Sequence, residues 1–179
     1  MTSMFSAALP LPIIVKSNQA YSQADEQRDI FESHRHHIFS VAYYMTADER
    51  EAEAILGSTF IRALEQSGKP CIDKLDQVLM QELHCRLTLD PVPAMVPADV
   101  PVLGAKGLGG KNVRRTDLEE ALWQLPARER LCFLLRDVEG YAPGRIAELL
   151  ETSEADVQRT VLSARIRIRS LILQQRADA

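Results

Sequence analysis

The segment 90–112, "DPVPAMVPADVPVLGAKGLGGKN", constrains this chain more than any other, because it holds four prolines and four glycines. Proline fixes φ and removes a backbone donor, while glycine adds backbone freedom, so no regular element runs through it. The chain is thereby cut in two, with an interdomain linker over 90–113. The divisions are an N-terminal extension (1–24), a helical domain (25–89), the linker, and a second helical domain (114–175). No segment alternates with a period of two, so both domains are all-α.

In the first domain, Ile30, Phe31, Ile38, Val41, Ala42 and Met45 recur with the helical period from about Asp25 to Met45. A capping-box pattern, Thr46 to Glu49, opens the next helix, which buries Ala52, Ile55, Leu56, Thr59, Phe60, Ala63 and Leu64. After the break at 67–70, a third helix carries Ile72, Leu75, Val78, Leu79, Leu83 and Leu87 on one side. The second domain is a four-helix unit. Leu118, Ala121, Leu122 and Leu125 define a short helix stopped near Pro126. Leu131, Leu134, Leu135 and Val138 define one stopped by Gly140. Ile146, Ala147, Leu149 and Leu150 form the third. Ser153 and Asp156 cap the last, which carries Val157, Val161, Ala164, Ile168 and Leu171. The stretch "RDVEGYAPGRIAELLETSEADVQ" therefore has the layout of a helix-turn-helix.

Charge argues against a dedicated nucleic-acid binder: residues 1–113 hold 10 Lys/Arg and 14 Asp/Glu, and residues 114–179 hold 11 of each. No apolar run is long enough to span a bilayer, and the apolar N-terminal stretch lacks the leading positive charge of a secretory signal. Three scattered cysteines, Cys71, Cys85 and Cys132, fit free thiols in a reducing cytoplasm. His34, His36, His37, His84 and the cysteines lack metal-site spacing, and are read as packed or surface side chains. Trp123 is assigned to core or interdomain packing. No nucleophile–base pairing and no phosphate-cradling loop is present, so no enzymatic activity and no cofactor is expected.

Residues 117–172 resemble the C-terminal domain of the extracytoplasmic-function sigma factors of bacterial RNA polymerase, with Leu125-Pro126, Leu134 to Gly140 and Ile146 to Glu148 as the most specific parts. More weakly, "HRHHIFSVAYYMTADEREAEAILGSTFIRAL" is similar to the other sigma domain. The resemblance implies a transcription initiation factor with two partners, core RNA polymerase and double-stranded promoter DNA, and control by an anti-sigma factor. The first domain would dock on the polymerase clamp and open the promoter; the second would lay its last helix in the major groove.

Three departures shape the expected sites. On the clamp-binding helix, Ala54, Gly57 and Ser58 replace acidic and amide side chains, leaving Glu49, Glu53 and Ser58 as the polymerase-binding candidates. On the promoter-melting helix, Leu79, Gln81, Glu82 and Cys85 stand where aromatic and basic residues are usual, and Arg86 is the main cation left. On the last helix, stepping at the helical angle directs Arg159 and Ser163 straight outwards. The DNA-binding candidates are Arg145, Ser153, Gln158, Arg159, Ser163, Arg165 and Arg167, with arginines making phosphate contacts of little sequence information. Leu162, Ile166 and Leu173 form an outer apolar stripe, expected to face a partner protein or the first domain, or to be scattered surface exposure. The departures define an alternative: a sigma-shaped interaction module, an anti-sigma-binding mimic or regulator, without promoter opening.

Overall fold

In the computed structural model of the protein, the described residues are 23–67, 69–91 and 114–177, and their regular structure is helical throughout. The expected linker, apart from its first two residues, and residues 1–22 lie outside them. Three helices come first: α1 (Gln23–Thr46), α2 (Glu49–Ser67) and α3 (Ile72–Arg86). Four follow: α4 (Arg115–Trp123), α5 (Ala127–Phe133), α6 (Pro143–Leu149) and α7 (Glu154–Ala177).

The periodic residues of α1 and α2 meet as their spacing predicts. Ile38, Val41, Ala42 and Met45 are buried against Ala52, Ile55, Phe60 and Ala63. Phe31 and Phe60 meet edge to face with ring centres 4.9 Å apart. The turn between them corrects the expected cap. Asp48, not Thr46, caps α2: its Oδ1 accepts from the Glu51 backbone N–H at 3.0 Å. Thr46 closes α1 instead, donating to the Ala42 carbonyl at 2.9 Å. Between them Ala47 takes a positive φ of 56°, where glycine is usual.

α3 buries Leu75, Val78, Leu79 and Leu83, while Ile72 and Leu87 are only partly covered. Burying one such leucine stabilises by about 2 kcal/mol, so Leu79 in place of an aromatic serves packing. α5 continues into a π-helical turn, Leu134–Val138, where Glu139 N–H donates to the Leu134 carbonyl at 2.9 Å. Gly140 ends it at φ +78°, a conformation that disfavours any side chain.

The two helical groups share one core. A single cluster of buried residues runs from Ile38, Val41 and Leu75 of the first group to Leu131, Leu134, Ile146 and Val157 of the second. A smaller cluster joins Ala121, Leu122 and Leu125 to Ala164, Ile168 and Ile172, which sets α4 on the C-terminal half of α7. Trp123 meets Tyr43 of α1 edge to face, with ring centres 6.5 Å apart, so it packs between the groups as expected.

Candidate nucleic-acid interface and the contact between the helical groups

α6 and α7 form the helix-turn-helix. Ala142 and Pro143 start α6, with Pro143 at the first helical position, where its missing N–H costs nothing. The turn closes through Thr152 N–H to the Ala147 carbonyl at 3.0 Å, with Glu151 at φ +50°. Ser153 caps α7 as the sequence predicts: its hydroxyl accepts from Asp156 N–H at 3.1 Å and donates to the Asp156 carboxylate at 2.6 Å. That bond, with the Arg159 guanidinium beside it, holds the Asp156 carboxyl below its ordinary range.

The first two turns of α7 carry the open polar surface. Ser153 and Gln158 are exposed, and Gln158 Nε2 rests on Glu154 Oε1 at 3.2 Å. Arg159 is about one-third exposed and pairs with Asp156, one turn back. Beside it, Arg128, Thr152, Asp156 and Thr160 border a cavity of about 290 Å³.

Further along α7, the outward direction expected from helical stepping fails. Ser163 is fully buried and donates to Glu129 Oε1 at 2.9 Å. Leu162 is buried and Ile166 is half-buried, so the expected outer stripe is not an open surface; Leu173 alone of the three is exposed. The reason is geometric: α7 packs against α4, α5 and α6, which cover more than one of its faces. Its arginines turn back to their own domain. Arg165 forks onto Asp137 of the π turn, with Nε to Oδ2 at 2.8 Å, and Arg167 Nε lies 2.9 Å from Glu129 Oε2. Both are part-exposed, as Arg159 is, but their carboxylate partners lie on α5 and the π turn rather than one turn back on α7 itself.

Arg145, the remaining DNA-contact candidate, is engaged by the first helical group. One guanidinium nitrogen lies 2.7 Å from Asp73 Oδ1 and 3.8 Å from Asp76 Oδ2, both on α3; the other contacts Glu148 at 3.3 Å. Next to it, His37 of α1 places Nδ1 2.8 Å from Glu139 Oε2 and Nε2 3.3 Å from Asp76 Oδ1. Tyr141 donates to Asp76 Oδ2 at 2.9 Å. Arg130 links the groups from another side, donating to the Met45 carbonyl at 2.9 Å and the Trp123 carbonyl at 2.8 Å. Helical periodicity gives no sign that Asp76, Arg130 and Tyr141 make contacts, since each has a partner far away in sequence, and only a buried charge on an otherwise apolar helix face marks Asp76.

On the first group, Glu49 and Glu53 are exposed on α2, with Ala54 and Gly57 nearby. Ser58 is not free: its hydroxyl donates to Glu82 Oε2 at 2.9 Å. Glu82 is buried and also bound by Arg62 and Arg86. Burial alone would raise its carboxyl pKa, but the hydrogen bonds from Arg86, Arg62 and Ser58 outweigh it and hold the pKa low. Arg86, the cation expected on the melting helix, is thus committed to Glu82, with Glu51 at 4.0 Å. Among the described residues no helix is long and apolar enough to cross a membrane, and no group of three His, Cys, Asp or Glu side chains is placed to hold a metal ion.

The family model for sigma-70, region 4 matches residues 115–168, a span running from the start of α4 into α7. No curated protein matches the chain in sequence. Among solved structures, the chain is similar to that of the sigma factor RpoE in complex with the anti-sigma factor NepR from Bartonella quintana, at TM-score 0.61 and 16% identity, over 82% of this chain and 96% of that one. At that identity the likeness establishes fold, and it extends well beyond the region 4 match. Residues 115–168 match sigma-70 region 4, and the chain as a whole shares the helical fold of a solved sigma factor.

Proposed function

We propose that this chain initiates transcription by binding core RNA polymerase through α2 and by setting the first turns of α7 in the major groove of promoter DNA. One coincidence carries this: the residues that match region 4 include a complete helix-turn-helix whose capped last helix leaves Gln158 and Arg159 accessible. Arg159, with Arg128 across the neighbouring cavity, supplies phosphate contacts. Gln158 is the side chain suited to a base edge, since its amide offers a donor and an acceptor together. Glu49 and Glu53 supply the acidic surface for polymerase. The exposed free thiols Cys71 and Cys85 support a reducing cytoplasm. The solved sigma factor of like fold was captured with an anti-sigma factor, which supports the same kind of partner for this chain.

A second reading, a sigma-shaped interaction module without promoter opening, is favoured by one observation. The helix expected to melt DNA buries Leu79 and commits Arg86 to Glu82, so little is left to grip a single strand. Run-off transcription with core polymerase separates the two. An initiation factor yields a defined transcript, and its DNA affinity falls linearly with salt on logarithmic axes. Polymerase or anti-sigma binding with no transcript selects the interaction module.

A further inference from the structure

His37 has a carboxylate at each end of its ring, and the two come from different helical groups. Glu139, at the end of the π turn, faces Nδ1 at 2.8 Å; Asp76 of α3 faces Nε2 at 3.3 Å. A neutral imidazole carries one N–H; with that proton on Nδ1 towards Glu139, Nε2 can be met only by the Tyr141 hydroxyl, 3.2 Å away, whose single proton is then lost to Asp76. The imidazolium donates to both. The surroundings sharpen this requirement. The Tyr141 ring stacks on His37 at 5.8 Å between centres, and its hydroxyl donates to the other oxygen of Asp76. Arg145 brings one positive charge to Asp73 and Asp76, with Glu148 on its far side. Around His37, then, the carboxylates of Asp76, Glu139 and Asp73 outnumber the positive charges of Arg145 and the protonated ring, three to two. Removing that proton leaves two carboxylates converging on a group that can satisfy one.

We infer that His37 is a proton-operated latch between the two helical groups, and that its charged form keeps Arg145 on Asp73 and Asp76, away from DNA. The second clause rests on the proposed groove contact; the first does not. The sign follows from the closed geometry. Burial opposes the charge on His37, but the hydrogen bonds and charges of Asp76 and Glu139 outweigh it, so its pKa in the closed form lies above the ordinary 6.5. The latch is therefore at full strength below that ordinary value, and its contribution is lost as pH rises through the raised value. Opening on the alkaline side releases Arg145 from the rim of the α3–α6 recess, a space of about 570 Å³ bordered by Gln77, His84 and Arg145.

Small-angle scattering of the full chain, followed from below the ordinary histidine value of 6.5 to well above it, tests the latch directly. The expected result is a compact particle at the acid end and a larger radius of gyration at the alkaline end. His37→Gln, which places an amide between the two carboxylates, should give a larger particle at every pH. Should that variant lose its far-ultraviolet helical signal, Glu139→Gln carries the test, because removing one of the two carboxylate charges must move the transition to lower pH. Constant dimensions across the range, or the same profile in parent and folded variants, would overturn the latch. DNA affinity, followed in parallel on a promoter-length duplex, should rise severalfold as the particle opens. Opening without DNA affinity at any pH upholds the latch and defeats the proposed groove contact instead; DNA binding by a chain of constant dimensions defeats the latch alone.

Discussion

The Ser163 hydroxyl of α7 donates to the Glu129 carboxylate of α5 at 2.9 Å, and neither side chain reaches solvent. The same carboxylate takes Arg167, so one buried acid satisfies two polar groups of the helix expected to read DNA. Ser163 is thus a strut beneath the recognition surface. Ser163→Ala should cost about 1 kcal/mol in urea denaturation, the worth of one hydrogen bond, and should leave DNA affinity at the parent value. Glu129→Ala should cost roughly 2 kcal/mol, reduced from the full penalty for a broken buried pair because Arg167 retains some solvent. A loss of DNA affinity in folded Ser163→Ala would put that hydroxyl at the DNA after all.

Arg159 and Arg165 separate groove contact from internal pairing. Arg159 sits in the open first turns beside Arg128, while Arg165 grips Asp137 with two nitrogens. Arg159→Ala should weaken binding to every duplex alike and lower the logarithmic salt slope by about 1, the mark of one lost phosphate contact. Arg165→Ala should barely change that slope. The reverse ranking, read from salt titrations of the two variants, would place the DNA on the other half of α7.

Most of the helical framework was legible because burial follows the 3.6-residue period where a helix packs on one side. Ile38, Val41, Ala42 and Met45 illustrate it, as do Ala52, Ile55, Phe60 and Ala63. The same logic failed on α7, a helix covered by α4, α5 and α6 at once, where angle alone does not decide exposure. Angle alone therefore directs Ser163 to solvent and Leu162 to the outer apolar stripe, whereas both are buried. The cap of α2 slipped from Thr46 to Asp48 because both residue types cap, and only the left-handed Ala47 between them decides which one does. The contact between the groups left no periodic trace: His37, Asp76, Glu139, Tyr141 and Arg145 lie on four different segments, brought together by packing alone.

Two glycines should respond to alanine with opposite signs. Gly57 lies exposed in the middle of α2 with open space around a would-be Cβ. There Gly57→Ala should stabilise by roughly 1 kcal/mol, the difference in helix propensity. Gly140 has equal space but a φ of +78°, so Gly140→Ala should destabilise by about 1 kcal/mol through backbone strain alone. Thermal melts of the pair give the signs. A stabilised Gly140→Ala would mean that the end of the π turn relaxes freely.

Arg130 bears on whether the two helical groups fold as one unit. One of its guanidinium nitrogens reaches the carbonyls of Tyr44 and Met45 at 3.4 and 2.9 Å, and the other those of Trp123 and Leu125 at 2.8 and 3.0 Å. Tyr44, Met45 and Trp123 lie in the last turns of α1 and α4, where helix carbonyls lack intrahelical partners, and Leu125 lies just beyond α4. The planar fork suits two pairs of acceptors diverging from one carbon; an ammonium does not, since its three protons radiate from a single point. Arg130→Ala should therefore cost about 3 kcal/mol, in the range of hydrogen bonds to a charged group, and Arg130→Lys should restore less than half of it. Because the lost bonds tie α5 to the end of α1, denaturation of Arg130→Ala should also broaden from one transition towards two. A lysine variant as stable as the parent would show that charge, rather than the fork, holds these helix ends together.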